Sequence, residues 1–312
     1  MDQKPVINYP SQFAFLLGLM GVCMVISAVM IGLIGTSVLH VPAGDLQKTL
    51  SLPENVNLSR LLNTAASFLC FFVPAFVLAK VLSKKPFKQL GFVSAISGKQ
   101  IALILALTIT GIMLSGALGQ LNEWIPLPAQ WWAKAKALEE EYKAAMMPMA
   151  TMRSLSEYLL ALLVLGAAPA LFEEVLFRGG FQQVFVGWTK NKWVGIIITS
   201  ILFSAIHFSY FGFLPRVGLG IVLGLIFYYS KSLWLNIFLH FLYNGLVVTQ
   251  LYIMSQKEKP IGKTMDENMP MWWGLVALVV LVALFRSFKK ESASVLAKRE
   301  LSIHSSPENI FS

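Results

Sequence analysis

Glu173, Glu174 and Arg178 stand near the middle of LVLGAAPALFEEVLFRGGFQQVFV (163–186), an otherwise apolar segment long enough to cross a bilayer. An ionisable side chain at that depth costs roughly 2.5–3.5 kcal/mol or more unless it is paired or faces a polar cavity. Three in six residues therefore predict a site. His207, four residues after Phe203, and His240, four before Asn244, lie in two further apolar segments. Two carboxylates, two imidazoles, an amide and a guanidinium are the parts of a hydrolytic centre. It needs a base to activate water and N–H donors to hold the oxyanion that forms.

Each part also has a purely structural use. Glu174 and Arg178 are i, i+4 and meet on one helix face, so a buried ion pair explains them both. Glu173 lies about 100° further round the helix, where that pairing does not reach it. A carboxylate deprived of bulk water becomes a stronger base, the property a general base needs near neutral pH. A lone histidine on an apolar helix is ordinarily a packing residue, but depth argues otherwise here. At a rise of about 1.5 Å per residue, Glu173 and His207 each lie roughly 21 Å from their cytoplasmic ends, with His240 and Asn244 at roughly 12 and 18 Å. Independent packing residues have no reason to converge in depth.

The elements that carry these groups are transmembrane helices. The 312 residues are 56% hydrophobic and 13% charged, with a mean hydropathy of +0.66, whereas a soluble domain is about one quarter charged. A span needs about 20 residues, and eight segments qualify: 13–39, 61–83, 101–121, 155–186, 193–210, 215–230, 232–253 and 272–287. The expected fold is an all-α, polytopic integral membrane bundle of about eight helices. It comprises a cytoplasmic N-terminus over 1–12, a bundle over 13–290 with its core near 155–250, and a polar, frayed tail over 291–312 in which His304 has no role.

The net charge of +9 is a topology signal and not a nucleic-acid footprint. With the N-terminus inside, cytoplasmic flanks hold fourteen basic residues, from Lys4 through Lys84, Lys85, Lys192, Lys231 and Lys289 to Arg299. Only Asp2, Glu291, Glu300 and Glu308 oppose them, while the other side is balanced. This positive-inside bias puts both termini in the cytoplasm of a cell membrane, with anionic lipid as a partner. Cys23 and Cys70 lie inside spans and form no disulfide framework or CxxC motif. The first apolar stretch is too long for a signal peptide and is kept as a helix. Residues 131–147, with Glu139, Glu140, Glu141 and Lys143, read as an interfacial helix or a solvated connector. Gly220 and Gly224 present a small face for close helix packing.

EEVLFRGGFQ (173–182), FSAIHF (203–208) and HFLYN (240–244) resemble, in order, the EExxxR, FxxxH and HxxxN motifs of the CAAX prenyl protease and bacteriocin-processing family of intramembrane proteases, also called CPBP or Abi. The resemblance covers about 155–250 and every polar motif position. It implies an intramembrane endopeptidase acting on a membrane-associated or C-terminal peptide, lipidated or not. By motif position Glu173 is the base and His207 binds the same water, while His240 and Asn244 donate to the oxyanion. Glu174, Arg178 and Phe203 are supports. Glu173, His207 and His240 match in number the ligands of a catalytic zinc. Yet no HExxH motif is present, and a metal-free, glutamate-activated water uses the same residues. Two other readings remain. One is a proton-coupled transporter, whose inverted repeats are not visible and for which Pro169 is the single candidate break. The other is a catalytically idle binding or immunity protein of the same fold.

Overall fold

The computed structural model describes residues 7–256 and 271–304. The described residues form α-helices and no strand. The long helices are α1 (Tyr9–Leu39), α2 (Pro53–Leu82), α3 (Gly98–Trp124), α4 (Ala129–Ala150), α5 (Leu155–Thr189), α6 (Lys192–Ala205), α7 (Phe213–Ser230), α8 (Leu233–Gln256) and α9 (Trp272–His304). All except α4 and α6 are long and apolar enough to span a membrane, which makes seven. The protein is thus a polytopic all-α membrane bundle.

Two expectations about its elements change. The apolar run 193–210 is not a full span. Helix α6 has 14 residues, about 21 Å at 1.5 Å per residue, and the chain then turns back over 206–212 into α7. Amides of His207 and Phe208 close onto the carbonyls of Ser204 and Ala205, the i→i+3 tightening that ends a helix. Phe208 adopts a positive φ of 50°. Asn122 of α3 then pins the turn, donating to the Tyr210 carbonyl (2.9 Å) and accepting from the Leu214 amide (3.1 Å). Irregular backbone inside a membrane protein is tolerable where protein groups satisfy it in this way.

The tail is likewise ordered further than its polarity implied. Helix α9 runs to His304, since Phe288 is fully buried and Glu291 and Ser292 accept from Ser97 (2.8 Å) and Gln100 (3.0 Å) at the capping box of α3. Residues 305–312, with Glu308, lie outside the described residues, as do Asp2 and Lys4.

Two apolar clusters build the interior. One joins α1, α2, α5 and α6 around Leu16, Leu78, Leu176, Phe177 and Phe203. The other joins α3, α6, α7, α8 and α9 around Ile104, Ile196, Leu223, Leu239 and Phe288. Half of the most apolar window of α7 and 44% of that of α5 are buried, against 17% for α1. Helices α5 and α7 are therefore central, and α1 exposes Val25, Val29 and Leu33 on its outer face.

Close packing around α7 rests on its glycines, as the small-residue spacing predicted. A Cβ at Gly220 would stand 2.8 Å from Ser200 Cβ, and one at Gly224 would stand 2.7 Å from Ile196 Cγ2.

Candidate active site

Helix α5 departs from α-geometry on both sides of its carboxylates. A π-helical stretch at Leu162–Ala167 precedes Pro169, and another at Val175–Gln182 carries Arg178. Proline removes one backbone donor and crowds the preceding turn, and widening of the helix relieves both problems. Glu173 and Glu174 occupy the short α-helical stretch between.

The two carboxylates have different surroundings. Glu174 is wholly buried and fully engaged. Its Oε1 accepts from Arg178 Nη1 (2.8 Å) and His240 Nδ1 (2.9 Å), and its Oε2 accepts from Asn236 Nδ2 (3.2 Å). Glu173 keeps 11% of its side-chain surface and makes no hydrogen bond among the described residues; Nε2 of His240 stands 3.8 Å from its Oε2. The Glu173 carboxylate thus has no donor among the described residues, whereas Glu174 has three. This division is the one the helix-face argument anticipated.

Phe203 is the hub of the site. Its ring lies edge-to-face with Phe177 (5.2 Å between centroids), His207 (5.4 Å) and His240 (5.7 Å), and the Arg178 guanidinium carbon sits 4.9 Å above it. The two imidazoles are therefore held on a common apolar wall. His207 lies in the turn after α6, where Nδ1–H donates to the Phe203 carbonyl (2.9 Å). That bond leaves Nε2 of neutral His207 with a lone pair. Asn244 is half-buried one turn beyond His240 and makes no side-chain hydrogen bond among the described residues.

Residues 155–246 match the family model described as type II CAAX prenyl endopeptidase, Rce1-like. No curated protein and no solved structure matches the chain. The matched segment holds Glu173, Glu174, Arg178, Phe203, His207, His240 and Asn244; it begins at the start of α5 and ends two residues after Asn244.

The residues suggested as zinc ligands do not form a ligand set. Among the described residues no three of His, Cys, Asp and Glu stand close enough to hold a metal ion. His240 and His207 each bond through Nδ1, to Glu174 and to the Phe203 carbonyl.

Several residues of the matched segment's polar network were not singled out from the sequence. Asn236, fully buried, bonds both Glu174 and the Leu223 carbonyl (2.7 Å). Gln182 donates to the Gly224 carbonyl (2.9 Å), as Arg178 does to that of Gly220 (3.2 Å). The missing signal was present: Glu174, Arg178 and Gln182 repeat every four residues on α5, as Asn236, His240 and Asn244 do on α8. Each triplet is one polar stripe. The glycines of α7 serve the α5 stripe, since the absence of a Cβ lets Arg178 and Gln182 reach the α7 backbone.

The turn that carries His207 is braced from outside the matched segment. Ser209 donates to Glu139 of α4 (2.7 Å), Trp132 of α4 packs edge-on against Phe211 (5.4 Å), and Ser204 donates to the Phe213 carbonyl (2.8 Å). Helix α4, an interfacial helix or connector on sequence grounds, packs against the His207 turn as a brace. Arg60 of α2 fixes the far end of α4 through bonds to the carbonyls of Met149 (2.6 and 3.0 Å) and Thr151 (3.1 Å).

Proposed function

We propose that the protein is an intramembrane endopeptidase of the CAAX-protease type, hydrolysing a peptide bond in a membrane-associated or C-terminal peptide. The observation that carries this reading is the unequal pair of carboxylates. Glu174 is consumed by three donors, while its neighbour is left without a hydrogen bond beside an imidazole.

Glu173 accepts a proton from water as the water attacks the scissile carbonyl, and Nε2 of His207 accepts a hydrogen bond from the same water. The proton then passes from Glu173 to the leaving amine. His240 donates to Glu174 through Nδ1–H, so donation from Nε2 to the oxyanion requires the imidazolium form. Arg178 offsets part of the charge of the two carboxylates. Asn244 supplies the second donor to the oxyanion. Glu174, Arg178 and Asn236 position His240, and Phe203 keeps both imidazoles in place while excluding bulk water. Both termini on the cytoplasmic side of a bacterial cell membrane complete the reading. Helices α6 and α7 form a hairpin whose two ends meet at Lys192 and Tyr229, the other six apolar helices cross, and the distribution of lysines and arginines supports this orientation.

The test is incubation of the purified protein in liposomes with a pool of apolar and lipidated peptides in H2(18)O. Peptide fragments whose new carboxylate carries one 18O are expected. Intact peptides that co-purify with the protein would instead mark it as a binding protein and end the enzymatic reading.

A further inference from the structure

Three lysines that the site does not use converge on two adjacent tyrosines at one end of the bundle. Lys192 opens α6, Lys231 forms the turn between α7 and α8, and Lys289 lies on α9. Tyr228 and Tyr229 close α7, with ring centroids 5.5 Å apart. Lys192 Nζ donates to Tyr229 Oη (3.2 Å) and lies 5.2 and 5.4 Å from the ring centroids of Tyr229 and Tyr228. Lys231 Nζ lies 4.3 Å from the Tyr228 centroid, and Lys289 Nζ 5.8 Å from that of Tyr229. Three separate parts of the chain thus bring positive charge to one spot.

No carboxylate balances them. Among the described residues none of the three lysines forms an ion pair, and the acidic residue nearest Lys289, Glu291, is taken by Ser97 and Lys99. Like charges gathered without a counter-charge repel one another, and the ring faces of two tyrosines offset only part of that repulsion. The arrangement is also built rather than loose. Lys231 sits in a left-handed turn (φ 55°) bounded by Ser232, which donates to the Val93 carbonyl (2.9 Å), and Leu233, whose amide donates to the Gly91 carbonyl (2.7 Å). Trp193, whose ring lies 5.4 Å from Lys192 Nζ, and Trp234, three residues after Lys231, both expose their indoles. Exposed tryptophans mark the headgroup level of a membrane.

We infer that Lys192, Lys231 and Lys289, with the hydroxyl of Tyr229, form a binding site for the phosphate group of an anionic phospholipid. The tyrosine rings pack against its glycerol. The site needs no assumption about proteolysis, since it lies at the other end of α7 from the His207 turn.

The test uses the full-length protein in phosphatidylcholine nanodiscs, with short-chain phosphatidic acid added and bound lipid counted by native mass spectrometry. The Lys192→Gln, Lys231→Gln, Lys289→Gln variant is compared with Lys80→Gln, Lys84→Gln, Lys85→Gln, which removes the same charge from a nearby exposed turn. Affinity falls on the order of tenfold or more in the first variant and is kept in the second; arginine at all three positions retains it. Equal losses in the two triple variants would show diffuse attraction and overturn the site. Displacement of the lipid by an equal concentration of inorganic phosphate would assign the pocket to a free anion and overturn the lipid as its ligand.

Discussion

Replacing Arg178 by Met tests the polar network under the site most sharply, because the side chain is fully buried and its partner cannot move to water. Arg178 donates to Glu174 (2.8 Å) and to the Gly220 carbonyl (3.2 Å), and it caps the Phe203 ring. Methionine fills similar volume, so the packing cost stays below about 1.5 kcal/mol. The larger cost is electrostatic. Glu174 keeps its bonds from His240 and Asn236 but loses its permanent cation, and stranding one member of a buried ion pair costs about 3–5 kcal/mol. The two retained hydrogen bonds place the expected loss near the lower end, about 3 kcal/mol. Adding Glu174→Gln removes the stranded charge and should restore stability to within about 1 kcal/mol of the wild type. Reversible denaturant unfolding in mixed micelles, on the wild type, both single variants and the double variant, reads the coupling directly. Losses that simply add would refute the reasoning, as would a single-variant loss below about 1 kcal/mol.

Further outcomes follow from the same contacts. Asn236→Leu should cost about 1–3 kcal/mol through the donors it removes from Glu174 and the Leu223 carbonyl, and it should lower kcat more than it raises KM; unchanged kcat would separate Asn236 from His240. Gly220→Ala should destabilise by about 1–3 kcal/mol, because its Cβ meets the Ser200 backbone and side chain, and Ser200→Gly should recover part of that loss in a thermal melt. Asn122→Ala should leave global stability within about 2 kcal/mol of the wild type while raising hydrogen exchange in 206–212 and slowing turnover. Unaltered exchange there would show that the turn carrying His207 does not depend on α3.

Composition and charge spacing made much of this architecture legible. Hydropathy located the seven long apolar helices because burial in lipid acts on every residue of a segment alike. Glu173 stood apart from Glu174 because helical geometry is local. What the sequence did not disclose depends on residues far apart in the chain. The apolar run 193–210 reads as a full span, yet Asn122 and Glu139, some seventy to ninety residues earlier, hold the turn that ends it. The tail 291–304 reads as frayed because its anchors, Ser97 and Gln100, lie nearly two hundred residues away. Asn236 and Gln182 were legible as fourth-residue repeats of Glu174–Arg178 and His240–Asn244, but single amides in apolar helices attract less notice than charges. Arg60 gave no local sign that it would close the end of α4.

The central claim is that Glu173, the carboxylate without a hydrogen bond, removes a proton from the attacking water. Turnover of a cleaved peptide by purified Glu173→Gln beside the wild type, with unfolding measured on the same samples, tests it most directly. A positioned general base is worth about 10²–10⁴-fold, so cleavage should fall by at least that range with the unfolding midpoint unchanged. Cleavage retained within a few-fold of the wild type would contradict the assignment and leave the site without its base.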